Sequence, residues 1–577
     1  MSREPRGDAG NFRLRVGFAF ALLLAGGAGL LARAVDLQLV NQEFLIKEGD
    51  ARSMRDVPTQ AGRGSIYDRN GEPLAVSTPV QSAFAVPKEL GAVPERWNAL
   101  ARALNRDPRE LSQRITRSQD KSFLWLGRQL TRTEAQAVRE LAVPGVYFRQ
   151  ESRRYYPQAE VAGHVLGLTD IDDLGQEGVE LAWDYMLAGQ EGRKRVILDR
   201  MGRVVEDVEN IRTARPGRDL WLAVDSRIQY LAYRELKRAI EANRAPSGSI
   251  IVIDVTTGEI LAIVNQPSFN PNDRSQRTPA MYRNRAATDY LEPGSSIKPF
   301  VVAAALESGR FNANSVIDTS PGVLQVGDST VTDEHPQGQL NLAGILAKSS
   351  NVGMAKIALE LDARQIWTTL SQLGFGRVTA SHFPGESAGV LSNYAGWRPV
   401  GISSLSRGYG IAVTPLQLAQ AYATLGAFGV ARPMSLTRVE QTVVGERVIS
   451  EQNARTLIKL LETVITEGTG TKAAIPGYRV AGKTGTAKKP KSGSRGYTDD
   501  RYTTVFGGVA PASDPRIAAV VVIDDPVAGK YYAGDVAAPA FSAVVGGALR
   551  LMGVAPDAAS GDSALDPAVG VSTMVSR

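Results

Sequence analysis

At 577 residues the chain exceeds what one hydrophobic core organises, so two folded domains plus an anchor are expected. Hydrophobic residues at 43% and charged residues at 22% exclude a wholly disordered or fibrous chain, and the absence of cysteine excludes thiolate catalysis, disulfides and cysteine-based zinc sites. A net charge of +6 without a dense basic tract or a nucleic-acid motif suits an anionic neighbourhood such as a membrane surface, not nucleic acid.

The first element lies between Arg15 and Arg33, an uncharged apolar stretch of 17 residues at the short end of what crosses a bilayer. Arg3, Arg6, Arg13 and Arg15 precede it and satisfy the positive-inside rule for a cytoplasmic N-terminus. A buried core helix and a cleaved signal peptide compete with this reading, but no clear small-x-small site followed by a polar mature start is evident. The expectation is a cytoplasmic tail over 1–15 and an uncleaved signal-anchor over 16–36, with everything after about Val40 outside the cytoplasm.

From about Leu45 to Pro216 the chain is rich in Arg and Glu and carries no catalytic constellation. Arg63 to Ala75 reads as a strand, an Asn70-Gly71 hairpin turn and a second strand, and a helical stretch falls near Glu95 to Leu104. The turn Ala214-Arg215-Pro216-Gly217 marks a boundary, giving a non-catalytic domain over 40–216 and a larger domain over 217–555. In the latter, Leu220 to Val224 reads as a strand and Ile228 to Ile240 as an amphipathic helix. Ser249 to Asp254 and Glu259 to Val264 flank Thr256-Thr257-Gly258 as a hairpin of buried strands. Thr503 to Val509 and Ile517 to Ile523 are strands again, so the class is α+β, with a sheet that joins distant sequence. From Pro556 the Ala, Gly, Ser and Asp-rich composition predicts a disordered tail over 556–577.

Three short motifs carry chemistry. Ser295-Ser296-Ile297-Lys298 follows a Pro293-Gly294 turn and opens an apolar helix that ends near Gly309. A serine at a helix N-terminus with lysine one turn on places an amine near a hydroxyl, and the free N–H groups there favour negative charge on oxygen. Taken alone, an N-cap serine and a solvated lysine explain the pair better, and a second Ser-x-x-Lys at Ser118 to Lys121 shows how little that spacing means by itself. Lysine acts as a base only if desolvation or a nearby cation lowers its basicity, and Lys483 could be that cation.

Ser349-Ser350-Asn351 has a formal rival in Ser268-Phe269-Asn270, but it sits between a helical approach over Asn341 to Lys348 and an apolar helix over Val352 to Leu359. From that junction a hydroxyl can relay a proton and an amide can hold a peptide carbonyl. Lys483-Thr484-Gly485-Thr486 also completes the formula Gly-x-x-x-x-Gly-Lys-Thr from Gly477. A phosphate loop needs a buried strand before it and a helix after it, whereas Thr471 to Pro476 is no buried strand and Thr486 to Gly496 is polar and broken by Pro490. Tyr478 to Ala487 instead reads as an exposed strand in which Gly485 lets a substrate backbone approach and Lys483 and the threonines meet a carboxylate. The three histidines, His164, His335 and His382, stand far apart with no His-Glu-x-x-His pattern, so no metal centre is expected, and no Gly-x-Ser-x-Gly elbow is present.

Together the three motifs resemble the set found in penicillin-binding proteins and related β-lactamases. The chain looks like a class B penicillin-binding protein of the cell-division type. Arg63 to Ala75 is similar to the signature of that family's non-catalytic module, and Gly175 to Glu180 to its later turn. Gly408 to Ala419 and Tyr531 to Pro539 resemble segments of the division-type catalytic domain. The resemblance implies a transpeptidase domain built on an antiparallel sheet with helices on both faces, a mixed α/β pedestal of the dimerisation type and one transmembrane helix. It implies Ser295 as nucleophile, Lys298 as base and Ser349 as proton shuttle, with Asn351, Lys483, Thr484, Gly485 and Thr486 binding substrate. Backbone N–H groups of Ser295 and Thr486 would form an oxyanion hole. The implied reaction cross-links peptidoglycan stem peptides ending in D-Ala-D-Ala, without a cofactor, and β-lactams would acylate Ser295. Further implications are division-membrane partners including a glycosyltransferase, a bacterial inner-membrane anchor and a periplasmic catalytic domain. A D,D-carboxypeptidase or β-lactamase, a non-catalytic division scaffold and a β-lactam sensor are the alternatives.

Overall fold

The computed structural model describes residues 9–45, 47, 54–59, 61–198, 204–275, 278–491 and 496–558. By contact density it separates into two compact units, one of residues 1–62 and 189–217 and one of residues 63–188 and 218–577.

In the first unit the apolar stretch forms a helix, α1 (Ala9–Val35), that continues as a π-turn over Asp36–Val40. The segment Phe12–Val40 is long and apolar enough to cross a membrane, and none of it is buried within the protein. A helix that exposes leucine and phenylalanine on all sides has no partner in water, which is the physical case for a lipid surround. The same unit holds a three-stranded antiparallel sheet, Met54–Thr59, Gly192–Leu198 and Val204–Arg212, with the first of these pairing the second.

In the second unit the Asn70-Gly71 hairpin forms as its turn chemistry requires. Ile66 faces Ala75 and Tyr67 faces Pro73, Asp68 Oδ1 accepts from the N–H groups of Asn70 and Glu72, and Gly71 takes φ +91°. The long strand Pro73–Ala85 then pairs with Leu124–Leu130 and Val146–Tyr155. Helices Trp97–Ala103, Pro108–Arg117 and Arg132–Glu140 bury Leu100, Leu111, Ile115 and Val138 in a core shared with that sheet. A buried ionic network ties its base together. Arg63 reaches Glu180 at 2.7 Å and Asp184 at 2.7 Å, and Arg154 reaches the other oxygen of Glu180 at 2.7 Å.

The expected strand at Leu220 to Val224 shrinks to Leu220–Trp221, paired in parallel with Ile66–Tyr67. The amphipathic helix is α2 (Ser226–Asn243), capped by the Asp225 carboxylate on the Arg227 N–H. The hairpin strands are β1 (Ser247–Asp254) and β2 (Ile260–Gln266). They are followed along the chain by α3 (Lys298–Glu307), α4 (Asn351–Glu360), α5 (Pro415–Gly426), β3 (Ala481–Pro490), β4 (Tyr497–Ala510), β5 (Ile517–Asp524) and α6 (Ala538–Leu551). The sheet order is β2-β1-β5-β4-β3, antiparallel throughout. Strand periodicity sends Ile251 and Ile253 to one face and Ile250 and Val252 to the other. The first face carries α3 and α5, the second α2 and α6, so both are covered and the near-continuous apolar runs are accounted for. At the C-terminal end, residues 556–558 are ordered where disorder was expected: Asp557 accepts from the Arg479 N–H at 2.7 Å and from the Ser513 hydroxyl at 2.7 Å. The rest of the expected tail lies outside the described residues.

Candidate active site

Ser295 lies in a 3₁₀ turn, Gly294–Ile297, that feeds directly into α3, so serine and Lys298 are one turn apart as the spacing predicts. The turn is 3₁₀ because the Lys298 N–H bonds Ser295 O and the next residue, Pro299, has no N–H to offer. Gly294 supplies φ +53°, and Gly408 backs against it so closely that a Cβ on Gly408 would stand 2.1 Å from Gly294 O. From the other side the buried Tyr422 hydroxyl of α5 donates to Ser296 O at 3.1 Å.

Edge strand β3 runs past this turn. Its expected exposure is wrong for most of its length: Ala481 to Gly485 are buried, because the Ser295 turn covers the inward face. Gly485 does not open room for substrate. A Cβ there would meet Pro293 O at 2.6 Å and Ser296 N at 2.9 Å, so glycine is what lets the strand lie against the turn. Thr484 and Thr486, out of phase with Gly485 on the strand, line a cleft of ≈ 600 Å³ together with Ser295, Ser349 and Asn351. Thr484 Oγ1 is 2.6 Å from Thr469 Oγ1, and Thr486 Oγ1 accepts from the Ala533 N–H at 3.1 Å.

The third wall is the junction between helix Leu342–Ala347 and α4. Ser349 takes φ +57° there, which turns the chain sharply enough for its hydroxyl and the Asn351 amide to face the same space. Asp333, which carries no periodic or motif signal, holds this junction. Its carboxylate accepts from the Ser350 hydroxyl at 2.6 Å, the Val352 N–H at 3.0 Å and the Asn351 N–H, capping α4.

The amine chemistry is unusual. Lys298 and Lys483 are both fully buried. Lys298 Nζ donates to Ser349 O at 2.6 Å and Asn351 Oδ1 at 2.9 Å and stands 3.3 Å from Ser349 Oγ. Lys483 Nζ is 3.0 Å from the same Ser349 Oγ. Burial, reinforced by the Lys483 charge, holds the Lys298 amine well below the ordinary lysine range, and burial pushes Lys483 down to about 7. A neutral Lys298 has two N–H donors and one lone pair. With the two shorter contacts, Ser349 O and Asn351 Oδ1, taking the donors and Ser350 O farther off at 3.3 Å, the lone pair is left to accept a hydroxyl proton.

One expected contact is not made. Among the described residues no hydrogen bond joins Ser295 Oγ to Lys298 Nζ; the amine turns toward the Ser349 and Asn351 carbonyl oxygens instead. The structure thus brings Ser295, Ser349, Asn351, Thr484 and Thr486 around one cleft, sets the buried Lys298 and Lys483 against the Ser349 hydroxyl, and packs Gly485 against the serine turn. Asp333, Thr469 and a Tyr532–Glu334 hydrogen bond of 2.8 Å at the cleft were not foreseen. No group of acidic or histidine side chains able to hold a metal occurs among the described residues.

Comparison with known proteins bears on the same two regions. Residues 248–546 match the family model of the penicillin binding protein transpeptidase domain, and residues 58–222 match that of the penicillin-binding protein dimerisation domain. The chain is 45% identical to the peptidoglycan D,D-transpeptidase FtsI of Escherichia coli K12, over 94% of this chain and 93% of that one. It is 40% identical to the probable peptidoglycan D,D-transpeptidase PenA of Neisseria meningitidis, over 94% and 93%. Among solved structures it resembles penicillin-binding protein 3 of Mycobacterium tuberculosis complexed with aztreonam, with TM-score 0.68 and 27% identity over 87% of this chain and 98% of that one. The transpeptidase domain of Burkholderia pseudomallei penicillin-binding protein 3 matches with TM-score 0.54 and 39% identity, over 59% and 98%.

Proposed function

The chain belongs to the penicillin-binding protein family and is a peptidoglycan D,D-transpeptidase, and from that premise we propose that Ser295 is its acylated nucleophile. The observation that carries this reading is the meeting of two buried, charge-depressed lysines at the Ser349 hydroxyl in the cleft that Ser295 lines. Ser295 Oγ attacks the carbonyl carbon of the penultimate D-alanine and its proton passes to the Lys298 lone pair. The oxyanion rests on the backbone N–H groups of Ser295 and Thr486. The C–N bond then breaks, the terminal D-alanine leaves as an amine protonated through Ser349, and an ester remains. The amine of a second stem peptide attacks that ester, restores the Ser295 hydroxyl and completes the cross-link.

In this reading Asn351 holds the donor amide, while Lys483, Thr484 and Thr486 receive the terminal carboxylate. Gly485 belongs to the site by permitting β3 to dock on the serine turn, not by touching substrate. β-Lactams, which present an acylating carbonyl and a carboxylate, acylate the same serine. The enzyme is anchored by α1, with residues 40–216 as a non-catalytic pedestal and 217–555 as the transpeptidase domain in the periplasm. It works in septal wall synthesis beside division-membrane proteins that include a glycosyltransferase. Labelling the full chain with a fluorescent penicillin and mapping the modified peptide tests the nucleophile: an adduct on any residue but Ser295 overturns it. A thioester donor offered with a D-amino acid acceptor tests the transfer step, where hydrolysis products alone would count against cross-linking.

A further inference from the structure

Thr469 brings to the cleft a hydroxyl that belongs to none of the three motifs. It stands between helix Glu451–Thr466 and the 3₁₀ turn Thr471–Ala473, and its backbone is held from two sides. The Thr469 N–H donates to Ala347 O at 3.2 Å, at the end of the helix that leads to Ser349. Gly534 packs on the Thr469 carbonyl so closely that a Cβ on Gly534 would stand 2.3 Å from Thr469 O. The side chain so placed lines the cleft beside Thr484, and the two hydroxyl oxygens are 2.6 Å apart, a full O–H···O hydrogen bond.

A hydroxyl carries one proton and two lone pairs, so only one of these threonines donates to the other. Thr484 Oγ1 has one further partner among the described residues, Lys483 Nζ at 3.3 Å, which as an ammonium ion can only donate. If Thr484 gave its proton to Thr469, it would turn a bare oxygen toward the negative charge of a substrate carboxylate. If Thr469 donates instead, both lone pairs of Thr484 Oγ1 are taken and its one proton is left for that carboxylate. We propose that Thr469 is a positioning residue for the substrate carboxylate: by donating to Thr484 Oγ1 it turns the single Thr484 proton toward the cleft. The inference rests on the reading that Lys483, Thr484 and Thr486 receive the terminal carboxylate. Thr486 is prepared in the same way by a backbone donor, since its Oγ1 accepts from the Ala533 N–H at 3.1 Å and its proton too is left for the cleft. Ala533 and Gly534 are neighbours, so one short segment orients Thr486 directly and buttresses the residue that orients Thr484.

The test is the second-order acylation rate of the full chain in detergent with two donors: an N-acyl-D-alanyl thioester whose leaving group ends in a carboxylate, and the methyl ester of that carboxylate. Wild type, T469S, T469V, T469A, T484V and T469V/T484V are compared. Wild type is expected to prefer the carboxylate. T469V and T469A narrow that preference by about three- to tenfold, the worth of one hydrogen bond, through a slower reaction of the carboxylate donor alone. T469S, which keeps the hydroxyl, follows wild type, and in the T484V background T469V costs nothing further. Two hydroxyl-free variants of different size guard against one failing to fold, and an unchanged rate with the ester shows each to be intact. An unaltered preference in both, an equal loss with both donors, T469S behaving as T469V, or a further loss in T469V/T484V beyond T484V overturns the role of Thr469 alone. A wild type without preference for the carboxylate overturns the carboxylate site and this inference with it.

Discussion

Lys298 and Lys483 approach one hydroxyl, that of Ser349, at 3.3 and 3.0 Å. Two amines this close inside protein cannot both be charged without large repulsion, so one proton shared through Ser349 is the stable arrangement. Ser349→Ala removes the shared oxygen and leaves the amines facing a void. Acylation by penicillin is expected to fall by about 10²-fold or more, within the range for loss of a positioned proton-transfer group. The melting temperature should move little, since Ser349 is partly exposed and Lys298 keeps its bonds to Ser349 O and Asn351. Stopped-flow acylation beside thermal melting separates the effects; a variant that acylates at the wild-type rate removes Ser349 from the proton path.

Burial sets Lys483 at about 7, which makes carboxylate binding depend on pH. The ammonium form that pairs with a carboxylate predominates below that value in the empty cleft and is lost above it. A bound carboxylate must restore it by taking a proton from solvent, so each further pH unit weakens binding by up to about tenfold. The dissociation constant of the pre-acylation β-lactam complex is expected to rise steadily above neutrality, while the limiting acylation rate does not fall with it. Concentration-dependent stopped-flow traces resolve the two, and a dissociation constant flat from about pH 7 to pH 9 would show that Lys483 does not bind as an ammonium ion.

The site was legible in the sequence where chemistry coincides with a local signal and illegible where packing creates it. Ser295 and Lys298 stand at the mouth of an apolar helix after a Pro-Gly turn, and Ser349 and Asn351 at a break between two helical patterns, so spacing read with that local context led to both. Strand β3 was legible as a strand but not as a buried one, because its cover is a turn nearly 200 residues earlier that no pattern within the strand reveals. The same limit hid Asp333, which caps α4 from 18 residues upstream of Asn351, and Glu334, whose partner Tyr532 is 198 residues away. The direction of the Lys298 side chain was misjudged for a related reason. Its nearest hydroxyl in sequence is Ser295, but two carbonyl oxygens supplied by residues 349 and 351 hold the amine more firmly.

Gly485 provides a test of strand docking that removes no reactive group. A methyl group there meets Pro293 O at 2.6 Å and Ser296 N at 2.9 Å, backbone atoms that cannot rotate away. Gly485→Ala must push β3 off the turn or tilt Ser295 out of the cleft. An overpacked site of this kind costs about 1–3 kcal/mol of stability. Misplacement of a nucleophile by an ångström costs about 10²-fold in rate. The expected result is a folded protein, lower in melting temperature by a few degrees, with penicillin acylation reduced at least about tenfold. Full activity in G485A would mean that the strand has slack the packing does not suggest.

Glu180 offers the opposite dissociation, stability without chemistry. Its two oxygens each hold an arginine, Arg63 at 2.7 Å and Arg154 at 2.7 Å, and all three side chains are almost wholly buried. Glu180→Gln keeps the shape but removes the carboxylate that is ion-paired with Arg154, whose Nη2 already lacks a partner. An uncompensated buried cation costs about 3–5 kcal/mol, far more than the net worth of the pair it came from. The variant is expected to melt well below wild type and, at temperatures where it remains folded, to acylate with penicillin at the wild-type rate, because none of the three residues lines the cleft around Ser295. Differential scanning calorimetry with acylation kinetics on the same preparation checks both halves. Loss of acylation without loss of stability would instead tie this ionic network to the transpeptidase site.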